Sequence, residues 1–228
     1  MAYQDYIYAL WGVRTLLCAC LLFLCASRGI AVFAPAFSLY ITWEVGSSLG
    51  CGAVILVFGF DTFAYGVFYE AAGLLTYALL ILSVREIFGL LPETDGKWPW
   101  VVMLVTGLFL ASHLPSNRDS LFDLTRLLRA VLLHVGLYYM LALILRLLKQ
   151  RRFRLGGNLT GILWLVILSI STQYLLFTAQ LLGGLAYSLL RWLIQPSLTV
   201  GIVVALYYFR RFDPPVAVHE QNFCKGGT

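Results

Sequence analysis

YIYALWGVRTLLCACLLFLCAS, residues Tyr6–Ser27, is one apolar run broken by a single charge, Arg14, and closed by Arg28-Gly29. At about 1.5 Å of rise per residue, a helix needs roughly 20 such residues to cross the hydrocarbon core of a bilayer. The run therefore predicts a membrane span. Its N-terminal flank, MAYQD, lacks the basic region of a signal peptide, so the run is expected to stay in place as a helix.

The same pattern recurs along the chain. A second span is predicted over Val32–Gly59, with Pro35 tolerated near its start. A Phe60-Asp61-Thr62 turn, with Asp61 or Thr62 placed as helix cap, opens a third that reaches Phe88. Leu91–Lys97 combines Pro, Gly and charge and reads as a loop. Further spans are predicted over Trp98–His113 (short), Ser120–Gln150, Leu159–Leu182 and Tyr187–Phe209, the last kinked at Pro196. The fold class is thus all-α: a polytopic membrane bundle of about seven helices in one domain, 1–212, followed by a short cytoplasmic tail, 213–228, expected to be disordered.

Composition agrees. The chain has 228 residues, 61% of them apolar and 12% charged, where soluble domains carry about 25% charge. The net charge of +5 does not form a nucleic-acid patch, because the lysines and arginines stand at span ends, where they set orientation and meet lipid head groups. With the N-terminus outside, Arg28, Arg85, Lys97, the Arg146–Arg154 cluster, Arg210, Arg211 and Lys225 all fall inside, and only Arg118 falls in an outer loop. The positive-inside rule then gives N-out/C-in, in a multi-pass protein of the cell membrane, read as a bacterial inner membrane.

Against this apolar background a few polar side chains stand out: Arg14, Glu44, Glu70, Arg126, Arg129, His134 and Arg191, with Gln173 in an unusually polar stretch of the sixth span. Threaded through a bilayer, they converge on its outer half or its middle, above inner halves made of Leu, Ile, Val, Phe and Ala. A charge at a helix centre costs about 2.5–3.5 kcal/mol on insertion scales, so such residues persist where they pair or serve a purpose. On the fifth helix, Asp123, Arg126 and His134 share one sector, with Arg129 at its edge. Two readings stay open. Arg14 with Glu44, and Glu70 with Arg126 or Arg129, lock helices together; or the cluster, with its excess of positive charge, is a pocket for an anionic small molecule or lipid, since arginine grips carboxylate and phosphate bidentately. A proton path through Glu44, Glu70 and His134 is a third.

Several chemistries are disfavoured. Lys97, Lys149 and Lys225 lie in loops or tail, which excludes a retinal Schiff base. No cofactor is called for: His113 and His134 fall at different depths, unsuited to bis-histidine haem. Cys18, Cys20, Cys25, Cys51 and Cys224 show no metal-ligand spacing. No HExxH, GxSxG or P-loop pattern occurs. Cys51, Arg129 and His134 supply the minimum for an exosortase-like thiol enzyme, although the Arg-to-His spacing is shorter than those enzymes use.

The segments Trp43-Glu44, Tyr69-Glu70-Ala71-Ala72-Gly73 and Val84-Arg85-Glu86-Ile87-Phe88 resemble a group of short bacterial seven-span proteins without assigned function. The likeness covers about the first 90 residues and implies that Glu44 and Glu70 belong to a recurring layout. The functional expectation is a ligand- or lipid-binding sensor, or an accessory subunit whose partner protein meets the inner face. A proton-coupled transporter or channel is the alternative, and the thiol enzyme a further one.

Overall fold

The computed structural model describes residues 2–59, 62–89, 121–149, 156–182 and 184–211. The expected fourth span, the 91–97 loop, the Arg151–Arg154 cluster and the tail lie outside the described residues. All described secondary structure is helical: α1 (Ala2–Ser27), α2 (Ile30–Phe33), α3 (Pro35–Phe58), α4 (Phe63–Gly89), α5 (Leu121–Lys149), α6 (Gly157–Leu182) and α7 (Gly184–Phe209). Five of them, α1, α3, α4, α5 and α6, are long and apolar enough to cross a membrane. In α7 the apolar stretch found among the described residues is Pro196–Phe209. The helix runs unbroken through Pro196.

The breaks between helices have local causes. Gly29, at φ 64°, takes the left-handed turn that ends α1 and admits the single turn α2. Pro35 does not sit inside the second span; it is the first residue of α3, where its missing N–H costs nothing. The remaining orphan donors of that helix start are all met. Ala36 and Phe37 donate to the two carboxylate oxygens of Glu86 at 3.1 Å each, and Ser38 donates to the Ala34 carbonyl. Of the two candidate caps before α4, Thr62 acts as one: its hydroxyl accepts from the Tyr65 N–H at 3.3 Å. Asp61 lies outside the described residues.

Helix α7 is finished in a similar way, by side chains from other helices. The Nδ2 of Asn158, fully buried at the start of α6, donates to the carbonyls of Tyr208 and Arg211 at 3.3 and 3.0 Å. Arg28, just past α1, donates to the Arg210 carbonyl at 3.1 Å. One end of the bundle, where α1, α4 and α7 finish and α3 and α6 begin, is therefore stitched by contacts between helix termini.

The long helices pack in a ring, α1–α3–α4–α5–α6–α7, with α7 returning to α1 and α6 also touching α4. Half of the apolar window of α6 is buried, against about a tenth for α3, which makes α6 the most enclosed of the five long apolar helices among the described residues. Leu21, Phe37, Ile41, Val84, Leu143, Ile162, Leu165 and Phe209 are buried together in one apolar cluster drawn from all six long helices. Outward, Val32 and Leu56 are almost fully exposed and form lipid-facing surface. Because lipid tails are as apolar as leucine, cohesion here comes from close packing and interhelical polar contacts more than from the hydrophobic effect. Gly161 supplies such a close approach: a Cβ there would stand 2.9 Å from that of Tyr208 and 3.0 Å from the ring of Phe209.

Helix direction decides which termini share a face of the bundle. Neighbours in the ring are antiparallel except for two pairs. α1 and α7 end side by side at Arg28 and Arg210. In α4 and α5, Glu70 meets Arg129 and, further along both helices, Ile81 meets Gly136. Those two helices are parallel.

Candidate functional site

Among the described residues, four of the charged positions in the spans form two separate ion pairs, and α6 reaches the surroundings of both. In the first, Arg14 of α1 makes a direct ion pair and hydrogen bond with Glu44 of α3. Glu44 is nearly sealed, its side chain 6% exposed, while Arg14 keeps a quarter of its side chain open. Around them lies a recess of about 10 Å³ lined by Cys18, Tyr40, Leu165 and Ser169 among others. A cavity of that size has room for about one water and no organic ligand. The pair thus ties α1 to α3.

The second group lies on α4 and α5. Arg129 Nε stands 3.3 Å from Glu70 Oε2, and its Nη2 donates weakly to the Tyr69 carbonyl at 3.4 Å. Both side chains keep somewhat under a fifth of their surface open. The ion pair is close but poorly aligned: neither Arg129 Nε nor Glu70 Oε2 makes a hydrogen bond, although both atoms are buried. The guanidinium also lies 5.3 Å from the Tyr69 ring centre and 5.9 Å from that of Tyr77, within cation–π range of both.

Residues 69, 73 and 77 share one stripe of α4, each four residues after the last. Gly73, in the middle, leaves the floor open; the three atoms nearest to a Cβ built there all belong to the Arg129 guanidinium group. Arg129 therefore reaches from α5 into a notch whose walls are two tyrosines. One wall continues into α6, because the Tyr77 hydroxyl donates to Gln173 Oε1 at 3.0 Å. Gln173 stands one turn beyond Ser169, which lines the recess beside Glu44. The indole N–H of Trp43 adds a bond from α3 to the Ala72 carbonyl at 3.2 Å, bracing α4 behind the notch.

His134 belongs to neither group. It is buried, with Nδ1 2.7 Å from the Ala130 carbonyl one turn earlier and its ring edge-on to Tyr174 of α6 at 5.4 Å. Five residues separate it from Arg129, about 140° around the helix, so the two face different neighbours. Cys51 is on α3 and lies near Tyr65 of α4; α3 and α5 share no substantial packing. A Cys51–His134 couple gains no geometric support. Arg126 and Arg191 stand on α5 and α7, with side chains outside the described residues. No group of three metal-ligating side chains occurs among the described residues.

Sequence reading singled out Glu70 and Arg129 but not the tyrosines that hold the guanidinium. The spacing Tyr69-x3-Gly73-x3-Tyr77, beside a membrane carboxylate, was the available signal. No family model, curated protein or solved structure matches this chain.

Proposed function

We propose that the chain is a seven-span, N-out/C-in protein of a bacterial inner membrane. In this reading it acts as a ligand- or lipid-binding sensor, or as an accessory subunit of a membrane complex, and the α4–α5 joint at Glu70 and Arg129 is its responsive element. The observation that carries this reading is the contrast between the two ion pairs. Arg14 and Glu44 are bonded directly beside a recess too small for a ligand. Glu70 and Arg129 are partly open, and their facing atoms make no aligned hydrogen bond. An anionic head group that offers two oxygens to Arg129 would replace a poor hydrogen-bond geometry with a good one. Exchanging Glu70 for that anion would loosen or shift α5 against α4.

Topology supports the span count. Two parallel neighbours joined by one segment call for an odd number of crossings between them, which supports the reading of Trp98–His113 as a span. With α1, α3, α4, α5, α6 and α7, one such crossing makes seven. Orientation is supported by Arg28, Arg85, Arg210 and Arg211, all exposed at the stitched end, where Glu86 is spent internally on α3. That end is also the face on which a partner protein would read the state of the joint.

Thermal unfolding in neutral nanodiscs, titrated with decyl phosphate and with decanoate, tests the site. A saturable rise in melting temperature is expected for the wild-type chain and not for Arg129→Gln. No rise with either probe, or an equal rise in Arg129→Gln, would refute the reading.

A further inference from the structure

The groups around Arg129 are themselves a recognition site, and one for a cation. Two ring faces, a carboxylate, a backbone carbonyl and an open glycine floor all come from α4, within the nine residues 69–77. Two rings eight residues apart on one helix are separated by about 12 Å of rise. The guanidinium carbon stands between them at 5.3 and 5.9 Å. A planar cation thus lies between two π faces, with Glu70 Oε2 in ion-pair range of one edge and the Tyr69 carbonyl accepting a weak hydrogen bond from another. The inner wall, Tyr77, is 9% exposed and braced by Gln173; the outer wall, Tyr69, is half exposed and leaves a way in.

We propose that α4 carries an alkylguanidinium-binding site formed by Tyr69, Glu70, Gly73 and Tyr77, whose resident occupant is Arg129 of α5. The site takes a small guanidinium compound from the outer solution whenever the Arg129 side chain is withdrawn. The inference does not depend on the anion reading, because every contact it uses lies on the α4 side of the joint. A compact ammonium fits less well, since it has neither the flat faces to lie between two rings nor the fork to meet a carboxylate and a carbonyl together.

Chemical rescue tests it. Arg129→Ala empties the notch and is expected to lower the melting temperature. Methylguanidinium should restore about half or more of that loss with saturable dose dependence, and methylammonium should not. Because guanidinium salts destabilise folded proteins in general, a gain in stability cannot come from a bulk effect. Adding Gly73→Ala to Arg129→Ala should abolish the rescue without further loss of stability, since the atoms nearest the new methyl group belonged to the arginine. Tyr77→Leu in the same background should weaken the rescue severalfold. Should Arg129→Ala fail to fold alone, the comparison is made with Arg129→Gln, and by recovery of monodisperse Arg129→Ala protein extracted with and without methylguanidinium. Absence of rescue in both variants overturns the proposal, as does equal rescue by methylammonium or rescue that survives Gly73→Ala. Failure with methylguanidinium leaves the decyl phosphate titration of the wild-type chain unaffected, so the two ideas fall separately.

Discussion

Arg14 and Glu44 are thirty residues apart and meet because each needs the other inside a bilayer. That pairing was one of the two readings the sequence offered, since a charge on each of two consecutive spans makes each a candidate partner for the other. The partner of Glu70 was less legible, because Arg126 and Arg129 stand about one turn apart on the same helix. The notch at Gly73 is what receives Arg129, and a glycine facing a distant arginine carries no local signature. Breaking the first pair should be worse than removing it. Glu44→Leu and Arg14→Leu each strand a charge, which for a buried pair costs about 3–5 kcal/mol. The part-open Arg14 and a membrane-embedded unfolded state place the cost toward the lower end. The double replacement, Arg14→Leu with Glu44→Leu, should be more stable than either single variant. Denaturant unfolding of the four proteins in one detergent checks this, and simple additivity of the two losses would show that the residues are not coupled.

At the scale of the helix, the termini were the hardest feature to foresee. Long apolar runs announced α1, α3, α4, α5 and α6 because length and composition alone decide a span. The start of α3 depended on a contact that no window of sequence contains. Glu86 lies about fifty residues from Ala36 and Phe37, and as the acidic member of Val84-Arg85-Glu86 it looked like an ordinary span-end charge. Placed at a helix N-terminus, its carboxylate meets two backbone donors and the positive end of the helix dipole together. Glu86→Ala should therefore cost about 1.5–3 kcal/mol, the range for hydrogen bonds to a charged group. Faster amide exchange at Ala36 and Phe37 than in the body of α3 is the specific sign. Glu86→Gln, which keeps one acceptor, should lose less. Unchanged exchange at these two amides in Glu86→Ala would show that the helix start is held by something else. Pro196, read as a kink, lies inside α7, with Thr172 and Ser197 sharing a 2.6 Å hydroxyl bond next to it.

For the molecule as a whole, the parallel pair α4 and α5 constrains the topology more tightly than hydropathy does. The short run Trp98–His113 is marginal by length, and a reading that dismissed it would leave six spans with both termini on one side. The ion pair of Glu70 and Arg129, each about two turns from the start of its helix, favours the seven-span proposal instead. If α4 ends at one face of the membrane, α5 must begin at the other. The exposed arginines gather where α4 ends, so the N-out/C-in proposal expects residue 95 inside and residue 117 outside. Single cysteines introduced as Asp95→Cys and Asn117→Cys, in a chain whose own cysteines are replaced by serine, should report opposite sides. A membrane-impermeant maleimide added to intact cells should label Asn117→Cys at once and Asp95→Cys only after permeabilisation. Labelling of both from the same side would mean that no crossing separates them. The α4–α5 joint would then have to be antiparallel, and the notch at Gly73 would lose the arginine that fills it.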